Sequence, residues 1–486
     1  MINIIVEISK YVLLLLMLIF TIYTYSALKT KDPDKRISKT RGQLVVMVLF
    51  DLAAFAVMYI QTYEFNIIII YLGLIAYILI SQAAYKIFYR RASFVLLNTM
   101  CMFISIGLVI QTRLDIDNAL KQLVIASGAS IIALVIPVII RKARVISKWG
   151  MFFALIGILL LAAVFALAAV TGGGKLSIEI GGITFQFSEV AKLTFVFFIA
   201  AMLHTVHTFR QVCIVTVLAG IHVIILVAST DLGTALVFFV AYIVMVCVAT
   251  RKVGYAFIGL GGIAAASVAA YKLFSHIRVR VQVWKDPFQD YQGTGYQIIQ
   301  ALFSICAGGW FGTGLMKGAP EMVPVVEKDF TFAAICEEMG ILFSICLILL
   351  CMGCYLIIVN ISMKVSNEFY RLIAIGLGTE YAFQVFLTIG GSVKMIPMTG
   401  ITLPLISYGG SSITCSIFMF AIVQGMYLLR KDEADVEGMQ YPGGWAEEHP
   451  YDEYEPDEDI AEYVPGEETV EFERRIWKET ENSINN

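Results

Sequence analysis

Thirteen stretches of this chain are apolar for about twenty residues each, and that leaves few folds open to it. They run over about 11–28, 43–62, 66–85, 94–112, 121–140, 149–171, 188–208, 211–229, 231–250, 254–272, 331–359, 370–393 and 405–429. About 20 apolar residues in a helix span the roughly 30 Å hydrocarbon layer of a bilayer. Lipid offers the backbone no hydrogen-bond partners, so runs of this kind must be helices. With 59% hydrophobic and only 15% charged residues, the chain is far from soluble composition. The fold class is an all-α polytopic membrane protein. The first run lacks a basic front end and a small-residue cleavage site, so it reads as a retained helix.

Basic residues in the short loops set the expected orientation. The segment KTKDPDKRISKTR after the first span carries six positive charges and should be cytoplasmic. Counting alternately, KIFYRR, RKARVISK, HTFR, Arg251–Lys252, the Lys364–Arg371 region and Arg430–Lys431 fall on the same side. Residues 172–187, the hairpin at Ser229–Thr230, the long 273–330 loop and KMIPMTGITLP (394–404) fall outside. From Asp432 onward there are nineteen Asp and Glu against three Lys and Arg; the preceding chain has 32 basic and 19 acidic residues. The 431–486 tail should therefore be an acidic, disordered cytoplasmic segment, solvated or docking a cytoplasmic partner. The nine cysteines lie in apolar runs without metal-like spacing and read as small hydrophobes.

The stretch 273–330 breaks the apolar pattern. It holds Arg278, Arg280, Lys285, Asp286 and Asp290, then a Gly-rich half-apolar run, then Glu327, Lys328 and Asp329. It is too long for a plain connector. Ionisable groups inside spans are costly unless paired or facing a wet cavity, so each is a candidate site. Glu189 and Lys192 in FSEVAKL share a helix face, with Ser188 as a candidate cap. Asp231 in STDLGTALV opens a helix as a cap or a functional acid. Glu337 and Glu338 are adjacent, so they should have different partners. ITLPLISYGGSS (401–412) offers Ser407 and Ser411 beside a Gly pair at a further helix start. All four clusters map to the outer halves of their helices. The expectation is one polar cavity open to the outside, roofed by the loop and reached sideways from lipid. Asp51 and Glu64, in the first three spans, read as structural.

These motifs resemble those of the SEDS family (shape, elongation, division and sporulation). FQFSEVAKL, TDLGTALV, RVQVWKDPFQDYQGTGYQIIQAL, GGWFGTGL, KDFTFAAICEEMG and PMTGITLPLISYGGSS occur in family order across about 94–430. The resemblance implies a ten-helix catalytic core at 94–430, with the 273–330 loop extracytoplasmic, preceded by about three extra transmembrane helices at 1–93. It also implies a peptidoglycan glycosyltransferase that polymerises lipid II outside the bacterial cytoplasmic membrane, for elongation, division or sporulation. A class B penicillin-binding protein, a transpeptidase, is the implied partner, alongside other division or elongation proteins. The family's essential loop aspartate lies five residues before the Gly of its GYQ motif, which here gives Asp290. Phe187 stands where the family often has Pro, Thr388 where it often has Asn, and Tyr291 follows Asp290 where Pro is common.

Forming a β-1,4 bond from an α-linked donor inverts the anomeric centre, so one in-line displacement suffices. Asp290 is the candidate base. Arg278, Arg280 and Lys192 are candidates for the leaving pyrophosphate, and a divalent cation (Mg or Mn) could share that work. Glu189 is expected to pair with Lys192, and Glu337 and Glu338 to bind substrate or buttress the loop. Two other classes compete: a lipid II flippase, with its site near the midplane, and a non-catalytic scaffold of the cell-wall machinery.

Overall fold

Local chemistry sets many of the helix boundaries. In the computed structural model, which describes residues 2–142, 144–170, 178–180, 183–205 and 208–440, sixteen helices follow one another. They are α1 (Ile2–Lys29), α2 (Pro33–Thr62), α3 (Phe65–Phe88), α4 (Phe94–Leu114), α5 (Ile116–Ala133), α6 (Ile136–Lys142), α7 (Gly150–Val170), α8 (Phe187–Leu203), α9 (Phe209–Ala228), α10 (Leu232–Thr250), α11 (Gly254–Leu273), α12 (Ser275–Lys285), α13 (Tyr296–Gly308), α14 (Thr331–Met363), α15 (Glu368–Ser392) and α16 (Gly410–Gln440). Asp32 caps α2 by accepting from the amides of Asp34 and Lys35, and Pro33 takes the first helical position, where its missing N–H costs nothing. Asp115, Asp231 and Asn367 cap α5, α10 and α15 in the same way, and Thr208 with Gln211 forms a capping box on α9. One two-stranded antiparallel hairpin, β1 (Ile178–Ile180) with β2 (Ile183–Phe185), precedes α8, with Glu179 opposite Thr184.

Among the described residues eleven helical segments are long and apolar enough to cross a membrane, counting α5 and α6 as one; α7 and α8 coincide with the other two expected spans. This is a multi-pass membrane protein. Helix α4 is its axis: 94% of its most apolar stretch is buried, against 6% for α11, which packs along α10 and α12. The three helices before residue 89 pack into the same compact unit, residues 1–432, with α1 lying along α14 and α2 along α4. Asp51 lies mid-helix in α2, fully buried, and accepts from the Ser105 hydroxyl of α4 at 3.1 Å. Glu64 is the exposed N-cap position of α3.

Two expected boundaries move. The last helix begins at Gly410, not near 405, because Leu405 takes φ 66° and the Ser407 hydroxyl accepts from the Leu403 amide, folding 403–407 into a turn. Helix α16 then runs on to Gln440; the rest of the acidic tail lies outside the described residues, as do 171–177 and 181–182 of the 172–187 segment.

The 273–330 stretch is mostly helical. It contains the amphipathic α12, a 3-10 turn at Pro287–Asp290, the apolar 13-residue α13, and an irregular return through Gly309, Gly312 and Gly314. That return docks into a break in α14 at Gly340 (φ 87°, ψ 169°). The Glu337 and Glu338 carbonyls, freed by the break, receive the Thr313 and Gly314 amides at 2.9 Å. The Ile341 and Leu342 amides donate to the Gly309 and Trp310 carbonyls at 3.0 and 3.2 Å. A broken helix in lipid is stable only when protein satisfies the freed groups, and here the loop backbone does so. Side chains at Gly308, Gly312 or Gly340 would run into the opposing backbone.

Candidate active site

The polar groups gather in three places. The first lies where α8, α10, α15 and α16 converge. Glu189 and Lys192, one turn apart on α8, form an ion pair at 2.8 Å, and both are buried. Lys192 also donates to the Gln384 side chain at 2.7 Å. Glu380 stands beside the pair, 3% exposed, with one carboxylate oxygen lacking a partner. These groups, with Tyr381, Pro404 and Ser416, line a void of about 20 Å³, room for a single water. Just beyond, Ser188 donates to Asp231 at 3.1 Å and Ser411 accepts from the Gln186 amide at 3.1 Å. Ser188 is therefore not the helix cap expected of it; Gln186 holds that position, and the Ser188 hydroxyl ties α8 to α10 instead.

The second cluster joins α4, α13 and α14. Arg113 donates to buried Glu338 at 2.7 Å and to the Gly318 carbonyl at 2.9 Å, and reaches Glu321 at 3.2 Å. Glu337 accepts from the Ser304 hydroxyl and from the Ala319 amide at 2.6 Å. The adjacent acids thus take different partners, and both secure the return loop. Ser407 is spent inside the structure: it donates to Thr331 at 3.1 Å while accepting from Leu403.

The third place holds Asp290, on an exposed turn between α12 and α13. Its Oδ2 accepts from the Thr294 amide at 2.7 Å and the Thr294 hydroxyl at 2.9 Å. Those bonds hold its carboxyl below the usual carboxylate range, so it is ionised at neutral pH. A Cβ at Gly293 would meet the carboxylate and push it from this position. Helix α12 is anchored to the 394–400 turn: Arg280 donates to the Met398 carbonyl at 2.9 Å and Trp284 to the Lys394 carbonyl at 3.2 Å. Half-buried Asp329 is pushed up to about 6 by burial, against the pull of Lys328 and Arg280. Arg278 is exposed on the same helix.

Sequence reasoning expected one open polar cavity. The described residues place these groups in two buried polar clusters and one exposed turn. Glu189 is paired with Lys192 and Glu338 with Arg113, while Glu337 is held by hydrogen bonds from Ser304 and the Ala319 amide. Glu380, Gln384, Arg113 and Asp329 were missed as site residues. For Glu380 the signal was present, an acid midway along an apolar span; Arg113 lies one residue beyond the expected 94–112 span and was not singled out. Thr388, in place of the family's Asn, donates to the Ile401 carbonyl at 3.1 Å and so still pins the 394–404 turn. Among the described residues no group of three His, Cys, Asp or Glu side chains is placed to hold a metal ion. Between α13, α14 and α15 lies an apolar cavity of about 660 Å³, lined by Trp310, Phe332, Ile348, Tyr355, Phe386 and Met395 among others, suited to a hydrocarbon chain.

A multi-pass membrane bundle with an irregular segment docked on a broken helix, and an exposed carboxylate turn, is the class the fold describes. The FtsW/RodA/SpoVE family model, described as "Cell cycle protein", matches residues 89–431, and the chain belongs to that family, the SEDS family. Peptidoglycan glycosyltransferase RodA of Mycobacterium tuberculosis (strain ATCC 25618 / H37Rv) is 33% identical over 362 residues, 68% of this chain and 76% of that protein. Peptidoglycan glycosyltransferase MrdB of Escherichia coli (strain K12) is 30% identical over 325 residues, 63% of this chain and 85% of that protein. A chain from a solved structure described as "Structural coordination of polymerization and crosslinking by a peptidoglycan synthase complex" superposes with a TM-score of 0.59 at 23% identity, covering 70% of this chain and 98% of that one. The crystal structure of Thermus thermophilus rod shape determining protein RodA gives 0.50 at 21% identity, covering 70% and 97%. At such identities these two speak for the fold alone.

Proposed function

We propose that this protein is a peptidoglycan glycosyltransferase that polymerises lipid II at the outer face of the cytoplasmic membrane, with 94–430 as its catalytic core. The relatives carry that activity in their names. The observation that carries the reading to this chain is Asp290: an ionised, exposed carboxylate on the turn between α12 and α13, with one oxygen held by Thr294.

In the proposed reaction the acceptor sugar's hydroxyl oxygen attacks the anomeric carbon of the lipid-linked donor. Asp290 takes the hydroxyl proton as the new C–O bond forms. The old bond between the anomeric carbon and the phosphate oxygen breaks, and its electrons leave with the lipid pyrophosphate. Arg278, exposed on α12, is free to meet the pyrophosphate; Arg280 is partly committed to the Met398 carbonyl and holds the arm in place. Lys192 is enclosed by Glu189, Gln384 and Glu380, so its part is to hold α8 against α15 rather than to contact phosphate. The apolar cavity beside α13 gives the lipid chain a place to lie. A class B penicillin-binding protein is the proposed partner, supported by the neighbour whose description joins polymerization to crosslinking.

The test is purified protein with labelled lipid II, scored for glycan chains. Asp290→Asn should lose on the order of 10²–10⁴ in rate, the worth of a positioned base, while keeping the melting temperature and elution profile of the unsubstituted chain. Normal glycan synthesis by that variant ends the proposal.

A further inference from the structure

Helices α1–α3 lie before the residues matched by the family model, and the function above makes no use of them. Their contacts show a use. The Gln61 side-chain amide, at the end of α2, donates to the Leu315 carbonyl at 2.8 Å. The Tyr11 ring of α1 lies 5.2 Å from the Phe311 ring. Buried Val6 backs onto Gly314, close enough that a Cβ there would come to 3.0 Å. Further along, the Tyr25 hydroxyl donates to the Leu349 carbonyl of α14 at 2.8 Å.

Three of these four contacts fall on one short segment, 311–315, which is the irregular backbone plugged into the Gly340 break. That segment has positive φ at Gly312 and Gly314, so its own conformational preferences do not hold it. Non-helical backbone at membrane depth is tolerated only when protein covers it. Helices α1 and α2 supply that cover through Gln61, Tyr11 and Val6. We propose that α1 and α2 form an intramolecular brace for this docked segment, and that Gln61 and Tyr11 are its positioning residues. The other end of the return is already tied: Arg113 holds Gly318, and Gln111 and the Tyr408 amide hold the Glu327 carbonyl. With both ends fixed, α13 is fixed, and with it the turn that presents Asp290 six residues before the helix begins. The brace rests on the glycosyltransferase reading for its catalytic consequence but not for its structural one.

The experiment uses the full chain in nanodiscs, as Gln61→Leu, Tyr11→Ala and the pair, with Tyr11→Phe to keep the ring. Hydrogen–deuterium exchange is followed on peptides covering 309–318 and 337–345, and glycan synthesis on labelled lipid II. Losing one hydrogen bond and one ring contact should speed exchange in both peptides about tenfold, leave α9 and α10 unchanged, and lower kcat several-fold with little change in KM. Tyr11→Phe should behave as the unsubstituted chain. Unchanged exchange at 309–318 in the double variant, a uniform rise across the protein, or faster local exchange with normal kcat would each overturn the brace. If exchange rises as expected and the unsubstituted chain makes no glycan, the brace stands and the polymerase reading fails.

Discussion

Asp290 and Asp329 sit at two ends of the same stretch and are pushed in opposite directions. Asp290 is exposed and its charged form is stabilised by Thr294, so its charge persists well below neutral pH. An acid limb of activity near pH 6 would therefore belong to another group. Asp329 supplies one: burial raises it from 3.8 to about 6. The folded protein then binds a proton that the unfolded chain has released over that interval, so this group's contribution to stability falls as pH rises from about 4 to about 6 and is flat above. Asp329→Asn should gain in melting temperature on the unsubstituted chain across that window and keep a constant margin beyond it. A margin that does not vary between pH 4 and pH 7 would show that Asp329 does not titrate there. The Glu189–Lys192 pair was legible in the sequence because three residues on a helix bring side chains onto one face. Arg113 and Glu338 were not, because their bond joins positions 225 apart.

At the scale of elements, Gly340 decides the architecture of α14. Read as sequence, Thr331–Met363 is a continuous apolar helix with two tolerable glycines, Gly340 and Gly353. The break appears only because GGWFGTG arrives from the preceding segment and bonds to the groups it frees. Gly340→Ala would place a Cβ against the backbone of Phe311 and Gly312, at a φ that L side chains rarely adopt. We expect a loss of about 2–4 kcal/mol in stability, from left-handed strain together with overpacking, read as a lower melting temperature. Substitution at Gly254, where a Cβ meets only open space, should have little effect. A Gly340→Ala protein as stable as its parent would mean that the break is not held by this contact. The 273–330 stretch was recognised as more than a connector. Its internal helices were harder to see, because α12 is short and charged and α13 is too short for a full crossing.

The whole molecule reads as a bundle with polar knots set among apolar helices, and its proposed orientation is open to direct test. A cysteine introduced at Gln289, with exposed Cys213 and Cys306 replaced by Ser, should react with a membrane-impermeant maleimide on intact cells stripped of their wall. A cysteine at Lys364 should react only after the membrane is permeabilised. The reverse pattern would place the Asp290 turn in the cytosol and remove the glycosyltransferase reading.

Hydropathy and capping are properties of a few neighbouring residues, so the amino-acid sequence alone determined the membrane class, the placing of the long apolar helices and the cap at Asp231. Which charges neutralise one another is a property of distant segments meeting. Only the tertiary structure decided that Glu380 joins Glu189 and Lys192, that Arg113 takes Glu338, and that α1 and α2 close over the plugged break. Lipid makes the difference sharp: a charge or a bare backbone group left without a partner there is so costly that packing must supply one, from wherever in the chain it can be brought.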